Sequence, residues 1–394
     1  MASRLNADGS VDTTFGKHGS IKTNMGQNCH GIAIQPDGKI LFVGNNKDSI
    51  VTLRYLPDGT PDESFGNNAK VATTFGSNEY AGTSVAIQSD GRIIIAGYGG
   101  GAIVLARYNS DGTYDTEFGN SGKVISDITS GFDGVYDIDL QADGKIVAVG
   151  TTYSVFGDSS NTIILRYMPD GSLDKSFGNN GFNIYKLQTS AELRSVTLQT
   201  DGEIVTAGDA DDNTGINVHF LVERYNTNGT IDSGFGDNGY QITAMDQLDV
   251  AENVMLQQDG KVVLAGAANN NQTGPSGNEV ALARYNNDDK TKKQIIVQKV
   301  KHYIQTRNNV QATTLNKVSI YPNPAQNSLH VEGLSSSQMT KLTVVDFNGN
   351  IAMSHELPAM NSSYNLNIAS LHAGNYLLKI ETNGEVIIKQ FVKE

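Results

Sequence analysis

What most limits how this chain can fold is that it repeats itself. A thirteen-residue string occurs five times: RLNADGSVDTTFG at 4–16, RYLPDGTPDESFG at 54–66, RYNSDGTYDTEFG at 107–119, RYMPDGSLDKSFG at 166–178 and RYNTNGTIDSGFG at 224–236. A second string accompanies each: IAIQPDGKILFVG, VAIQSDGRIIIAG, IDLQADGKIVAVG, VTLQTDGEIVTAG and VMLQQDGKVVLAG, ending at Gly44, Gly97, Gly150, Gly208 and Gly266. Successive copies lie between 50 and 59 residues apart, and ALARYN at 281–286 closes the series.

Each copy reads as strands and tight turns. Ile32-Ala33-Ile34 and Ile40-Leu41-Phe42-Val43 are short apolar runs joined by Gln-Pro-Asp-Gly. Asp-Gly between two such runs is a hairpin signal, because glycine accepts positive φ cheaply and Asp bonds its own turn. Val51–Tyr55 is expected as a third strand and Lys70–Thr73 as a fourth. Ten-residue helical periodicity is absent before residue 290, which argues against βαβ crossovers. Four-stranded units of this length predict an all-β fold, a β-propeller of about five four-stranded blades. A β-solenoid is the alternative, although its coils are usually shorter. Gly19–Thr23 is expected to supply the fourth strand that the last copy lacks, closing the ring; otherwise the chain is an open arc of a larger propeller.

With RYNSDGTYDTEFGNSGKV at 107–124, SVAIQSDGRIIIAG at 84–97 and their counterparts, residues 4–286 resemble the delta-60 repeat family of bacterial surface and secreted proteins. That resemblance implies a repeat type and little about activity. The formal net charge of −13 argues against nonspecific nucleic-acid binding, which depends on neutralising phosphates with Lys and Arg. Cys29 is the one cysteine, so no intramolecular disulfide forms. No apolar run is long enough to span a membrane as a helix. The N-terminus lacks the basic-then-apolar layout of a signal peptide.

Residues 287–317 break the pattern and read as a linker, in which QIIVQKVKHYIQTR is expected to form a short amphipathic helix with a solvated basic face. From Val318 onward, alternating apolar strands are separated by Asn-Gly and Ala-Gly pairs, which predicts a small Ig-like β-sandwich over 318–394. Several motifs give this segment a further likeness: Tyr321-Pro322-Asn323-Pro324-Ala325, Val345 to Gly349, Leu371 to Tyr376 with Gly374, and Lys389 to Lys393. Through them it resembles the type A sorting domain of the type IX secretion system. The resemblance implies recognition by the type IX translocon and a secreted or outer-membrane surface-attached bacterial protein. Such cargo first crosses the inner membrane behind a signal peptide, so the chain is expected to be a fragment or to open at a misplaced start.

Candidate chemistry is sparse. The sequence holds no His-x-x-x-His spacing, nucleophile elbow, P-loop or dinucleotide fingerprint. His18 falls where the other copies carry Asn68, Ser121, Asn180 and Asn238, which makes it a turn residue. Cys29 and His30 are neighbours on an extended strand, and alternation should point them to opposite faces. The Asn6-x-Asp8-Gly9-x-x-Asp12 array and its repeats superficially resemble a calcium loop, but no Glu closes it, so a Ca2+ cofactor is only a secondary reading. The favoured reading is an Asx-turn whose later Asp meets the repeated Arg, giving Arg54, Arg107, Arg166 and Arg224 partners at Asp62, Asp115, Asp174 and Asp232. Function should then lie in what does not repeat. Tyr80, Phe132, Asp133, Tyr136, Asp209, Asp211 and Asp212, in the variable loops, are the candidate binding residues for an extracellular glycan or protein. The sequence therefore predicts a non-catalytic binding or adhesion scaffold. The alternative is a secreted carbohydrate-active hydrolase or lyase with loop carboxylates near the propeller axis.

Overall fold

A computed structural model describes residues 1–23, 25–76, 79–153, 159–212, 217–269, 278–287, 296–300, 318–334, 339–346, 351–359, 362–382 and 385–394. The chain divides into two compact units, Met1–Tyr303 and Ile304–Glu394. All regular structure among the described residues is β, with no helix, so none is long and apolar enough to cross a membrane.

In the first unit each repeat is a four-stranded antiparallel meander. Blade 1 comprises Asn28–Ile34, Ile40–Asn45, Ile50–Tyr55 and Lys70–Thr73. Blade 2 comprises Tyr80–Ile87, Ile93–Gly99, Ala102–Tyr108 and Lys123–Ser126. Blade 3 comprises Phe132–Leu140, Ile146–Tyr153, Ser160–Tyr167 and Phe182–Tyr185. Blade 4 comprises Ala191–Leu198, Ile204–Asp211, Val218–Tyr225 and Tyr240–Thr243. Blade 5 comprises Leu248–Leu256, Val262–Asn269, Asn278–Tyr285 and Ile296–Val300. The second and third strands of blades 1–4 are almost wholly buried, which explains their continuous apolar texture. The apolar clusters straddle blade boundaries: Leu41, Val43 and Ile50 of blade 1 pack with Ile93, Ile95 and Val104 of blade 2.

The repeated polar residues bind the blades to one another. Asp8, Asp58, Asp111 and Asp170 each accept hydrogen bonds from the backbone N–H and hydroxyl of the Ser or Thr two residues on, and Asn228 does the same. The expected Arg–Asp pairs form, with Nε to Oδ2 distances of 2.7 Å for Arg54–Asp62 and Arg107–Asp115 and 2.9 Å for Arg166–Asp174. Each guanidinium also lies over the Phe of its own repeat, for example 4.5 Å from the Phe65 ring centroid. Its Nη1 then donates to a turn carbonyl of the next repeat: Arg4 to Pro57, Arg54 to Ser110, Arg107 to Pro169, Arg166 to Thr227 and Arg224 to Asn287. Burial pushes the Asp62 carboxyl up, but the Ser64 hydroxyl and the Arg54 guanidinium outweigh it and bring it down to about 2. His18, Asn68, Ser121, Asn180 and Asn238 all hold positive φ between 50° and 56°, as turn residues should.

Two expectations about the ends need correction. Ile296–Val300, expected as part of a helix, is a strand paired to Asn278–Tyr285 and is the fourth strand of blade 5. The free outer edge of a third strand is satisfied the same way in every repeat, and that requirement overrides helical spacing. The early strand, here Ser20–Ile21, pairs with Ala2–Ser3 and does not complete blade 5. These two short strands and their turn pack as a half-blade on the outer part of blade 1, through Phe15 and Ile21 against Phe42, Val51 and Leu53. One face of the first strand of blade 1 stays uncovered, with Ile32 59% and Ile34 69% exposed, while Ala33 packs towards blade 2.

The second unit has two antiparallel sheets. One orders Ser319–Tyr321, Ser328–Glu332 and Ser363–Asn367; the other orders Ile351–Leu357, Thr340–Asp346, Gly374–Thr382 and Glu385–Lys393. Leu329, Val331 and Leu366 of the first share one core with Leu342, Val344, Leu378 and Phe391 of the second.

Candidate functional site

A repeated backbone irregularity singles out one position per blade. In the first strand of each, the register with the second strand slips by one residue: between Cys29 and Gly31, Gly82 and Ser84, Val135 and Asp137, Leu193 and Ser195, and Ala251 and Asn253. The residues left without an opposite partner are His30, Thr83, Tyr136, Arg194 and Glu252. Bulges of this kind re-aim a side chain out of the ladder. The glycine ending each second string makes the slip possible. A Cβ on Gly44, Gly97, Gly150, Gly208 or Gly266 would fall 1.9–2.0 Å from a carbonyl oxygen of the bulged strand. The backbone device is thus constant, whereas the side chain it presents differs in every blade.

Four of these bulge residues connect to a polar and aromatic cluster or to a neighbouring blade. The Arg194 guanidinium lies 5.9 Å from the Tyr136 ring centroid. It donates from Nε to Asp209 Oδ1 at 2.6 Å and from Nη2 to Glu192 Oε2 at 3.4 Å. Tyr153 donates its hydroxyl to the other oxygen of Glu192. Tyr98 meets Tyr136 at 6.3 Å and Phe132 at 5.1 Å, and Phe132 meets Tyr153 at 5.6 Å, all edge-on. Thr83 donates to the Val135 carbonyl of the next blade at 2.8 Å. Glu252 is exposed and acts through its charge. Burial lifts the Asp209 carboxyl to about 6; Arg194 opposes this, while Glu192 and Glu252 add to it. Burial and the Glu192 charge push the hydroxyls of Tyr136 and Tyr153 well above the usual tyrosine range. The cluster therefore offers aromatic edges and one guanidinium surrounded by carboxylates.

Of the residues expected from sequence, Phe132, Tyr136 and Asp209 meet here. Tyr80 and Asp133 do not, and assigning them to an exposed binding loop is corrected. Tyr80 is 4% exposed, packs in the core beside Phe75 and accepts the Phe75 N–H at 3.1 Å. Asp133 is fully buried and receives the backbone N–H groups of Ile128 and Thr129, an anchor for the loop between blades. Asp249 fills the same role in blade 5, receiving Met245 and Asp246. Asp211 and Asp212 lie elsewhere, in an outer groove between blades 3 and 4 with Tyr185 and Tyr240. Parts of the variable loops, 154–158, 213–216 and 270–277, lie outside the described residues. Sequence reasoning missed Arg194, Glu192, Tyr98, Tyr153 and the bulge series as a set. A signal for the series exists, because each bulge residue stands five positions before the Gln of its Gln-x-Asp-Gly turn.

Among the described residues no group of three or more His, Cys, Asp or Glu side chains is placed to hold a metal ion. The repeated Asx oxygens proposed for calcium are taken by their own turns. Cys29 is exposed, yet burial of its sulfur pushes the thiol pKa up, the reverse of nucleophile activation. His30 is the bulge residue beside it, so the strict alternation expected there does not apply.

In the second unit the motif expected for sorting is joined to the C-terminal strand. Asn323 accepts the Val392 N–H at 2.9 Å, Ala325 donates to the Val392 carbonyl at 2.8 Å, and Glu394 donates back to Ala325 at 2.9 Å. Tyr321, flanked by cis Pro322, with Pro324 also cis, is exposed and donates to Glu332 at 3.1 Å. Tyr376 stacks on Phe391 at 5.6 Å, and Gly374 pairs with Lys393 across the sheet. Lys389 stands opposite Leu378, while Gly349 lies outside the described residues.

Both units match known families. Residues 319–394 match the secretion system C-terminal sorting domain. Residues 3–15, 35–65, 88–118, 141–177, 199–235 and 257–290 match the domain of unknown function (DUF5122) beta-propeller. The chain carries DUF5122 β-propeller repeats and a C-terminal secretion sorting domain. The sorting domain marks this propeller protein as secreted or outer-membrane-attached, and as a client of the type IX machinery. No curated protein sequence matches it. Among solved structures, it is similar to a Bacteroides caccae protein of unknown function (15% identity, 71% of this chain and 84% of that one, TM-score 0.41). It is also similar to a Lactobacillus plantarum protein (13%, 87% and 89%, 0.43). A third is an ulvan lyase of polysaccharide lyase family PL25 (12%, 94% and 94%, 0.43). Likenesses at this level carry no argument about activity.

Proposed function

We propose that residues 1–300 form a non-catalytic binding scaffold, a β-propeller whose last strand is Ile296–Val300, followed by an Ig-like sandwich at 318–394 that the type IX translocon recognises. The observation that carries this reading is the bulge series. One backbone device per blade presents His30, Thr83, Tyr136, Arg194 and Glu252, a set with the diversity of a recognition surface. Arg194 is already engaged by Glu192 and Asp209, so the cluster is preorganised by its own ion pairs. The ligand class is an extracellular glycan or protein, and the biological role is adhesion at the cell surface.

The full chain should bind such a ligand without consuming it. Tyr136→Ala removes an aromatic surface and should weaken binding about tenfold while leaving the unfolding midpoint of the repeat unit nearly unchanged. Turnover of a bound polysaccharide by the wild-type chain, seen as new reducing ends or unsaturated uronides, would overturn the reading. A second reading, a carbohydrate-active enzyme, is favoured by one observation: Glu192 and Asp209 converge on one guanidinium, and Asp209 titrates near 6, within reach of acid–base work. Loss of turnover in Asp209→Asn, with ligand binding retained, would select it.

A further inference from the structure

Between blades 3 and 4 the repeat is broken, and a groove stands there. In blades 2, 3 and 5 the third-strand tyrosine bonds a hydroxyl on the last residue of the preceding blade's fourth strand: Tyr108 with Thr73 at 2.6 Å, Tyr167 with Ser126 at 3.0 Å and Tyr285 with Thr243 at 2.9 Å. That last position in blade 3 holds Tyr185. Its ring packs instead against Tyr240 of blade 4, 6.2 Å away, and its hydroxyl donates to the Asn238 carbonyl at 3.4 Å. The blade 4 tyrosine, Tyr225, bonds Glu223 Oε2 at 2.5 Å, a carboxylate buried where the other blades carry Leu53, Ala106, Leu165 and Ala283. A departure that puts an acid in the core belongs to the kind of local inconsistency that functional sites impose.

On the outer side of this departure lies a groove of about 520 Å3, within the range of small-molecule sites. Its walls include Tyr185, Tyr240, Lys186, Asp211, Asp212 and Asn238. The two aromatic rings give apolar faces of the size of a pyranose ring. The carboxylates and the amide supply acceptors for donor-rich ligands, and two carboxylates against one ammonium disfavour anions. We infer that this groove is a binding subsite for a neutral oligosaccharide, seated on Tyr185 and Tyr240 with its hydroxyls on Asp211 and Asp212. It shares no residue with the bulge cluster and stands or falls independently of it.

The test uses the full chain and a panel of neutral hexasaccharides of glucose, xylose, mannose and galactose, with titration calorimetry. Wild type should bind at least one of them. Tyr185→Thr installs the residue that blades 1 and 4 carry there, so it should fold at least as well as wild type while binding falls about tenfold or more. Asp259→Asn, in an exposed turn of blade 5 outside the groove, should leave this binding unchanged. Equal binding by Tyr185→Thr, loss of the same binding in Asp259→Asn, or no saturable binding of any panel member to wild type would each overturn the inference.

Discussion

At the scale of single residues, Glu223 gives the sharpest expectation. It is fully buried, and burial lifts its carboxyl to about 7 against the opposing bonds from Tyr225 and Thr162. The folded state therefore holds this proton more tightly than the unfolded chain, whose carboxyl titrates near 4.5. The stabilising contribution is full below the unfolded value and is lost as pH rises through about 7. Glu223→Gln keeps the geometry without the charge. Its unfolding free energy should depend less on pH between about 5 and 8, and at the upper end it should exceed that of wild type by roughly 1–3 kcal/mol. Urea denaturation of both proteins across that interval checks this. Nothing in the sequence placed Glu223 in the core, because burial there is decided by the neighbouring blade. The Asx turns were readable, since Asp8 and its counterparts bond within two residues of themselves.

Among elements, the ladder between blades decides stability. Arg107 bonds Asp115, lies over Phe118 and donates to Pro169 of blade 3. Lysine keeps the charge but loses the planar fork and the stacking. Arg107→Lys should cost on the order of 2 kcal/mol and raise hydrogen exchange on both sides of the boundary, around 108–119 and 168–172. Exchange confined to blade 2 would argue that the Pro169 contact contributes nothing. The pairing of each Arg with the Asp eight residues on was legible, because both belong to one repeated string. The donation into the next blade was not, since no single copy contains both partners. The bulges were hidden for a related reason. Gly44 and Gly208 mark their places in the sequence, but only cross-strand pairing shows that the glycine faces an extra residue. The helix expected at Ile296–Val300 failed because spacing along a short segment cannot register an unpaired neighbouring edge.

For the whole molecule, a repeat unit and a sorting unit fold around separate cores. The Asn323 contact with Val392 fastens the start of the sorting domain to the last strand. In a bacterium with a type IX system that exports the protein, Asn323→Ala should lower the surface-exposed fraction several-fold, while the repeat unit keeps its thermal transition. Protease shaving of intact cells followed by immunoblotting reads this. Undiminished surface exposure would mean that this contact plays no part in recognition. The four-stranded repeat unit was legible because it rests on five copies of a short pattern. The pairing of Ser20–Ile21 with Ala2–Ser3 was not, because the start of the chain occurs in a single copy.

The glycine that accommodates each bulge has an evolutionary consequence. It separates what holds the sheet together from what the sheet displays. The bulge needs no particular side chain at His30, Thr83, Tyr136, Arg194 or Glu252, so these positions can change without altering the Arg–Asp ladder or the turns, although Tyr136 and Arg194, which touch, change together. A lineage that duplicates or shuffles blades thereby inherits a set of interchangeable letters on a fixed page, and can compose new specificities without relearning how to fold.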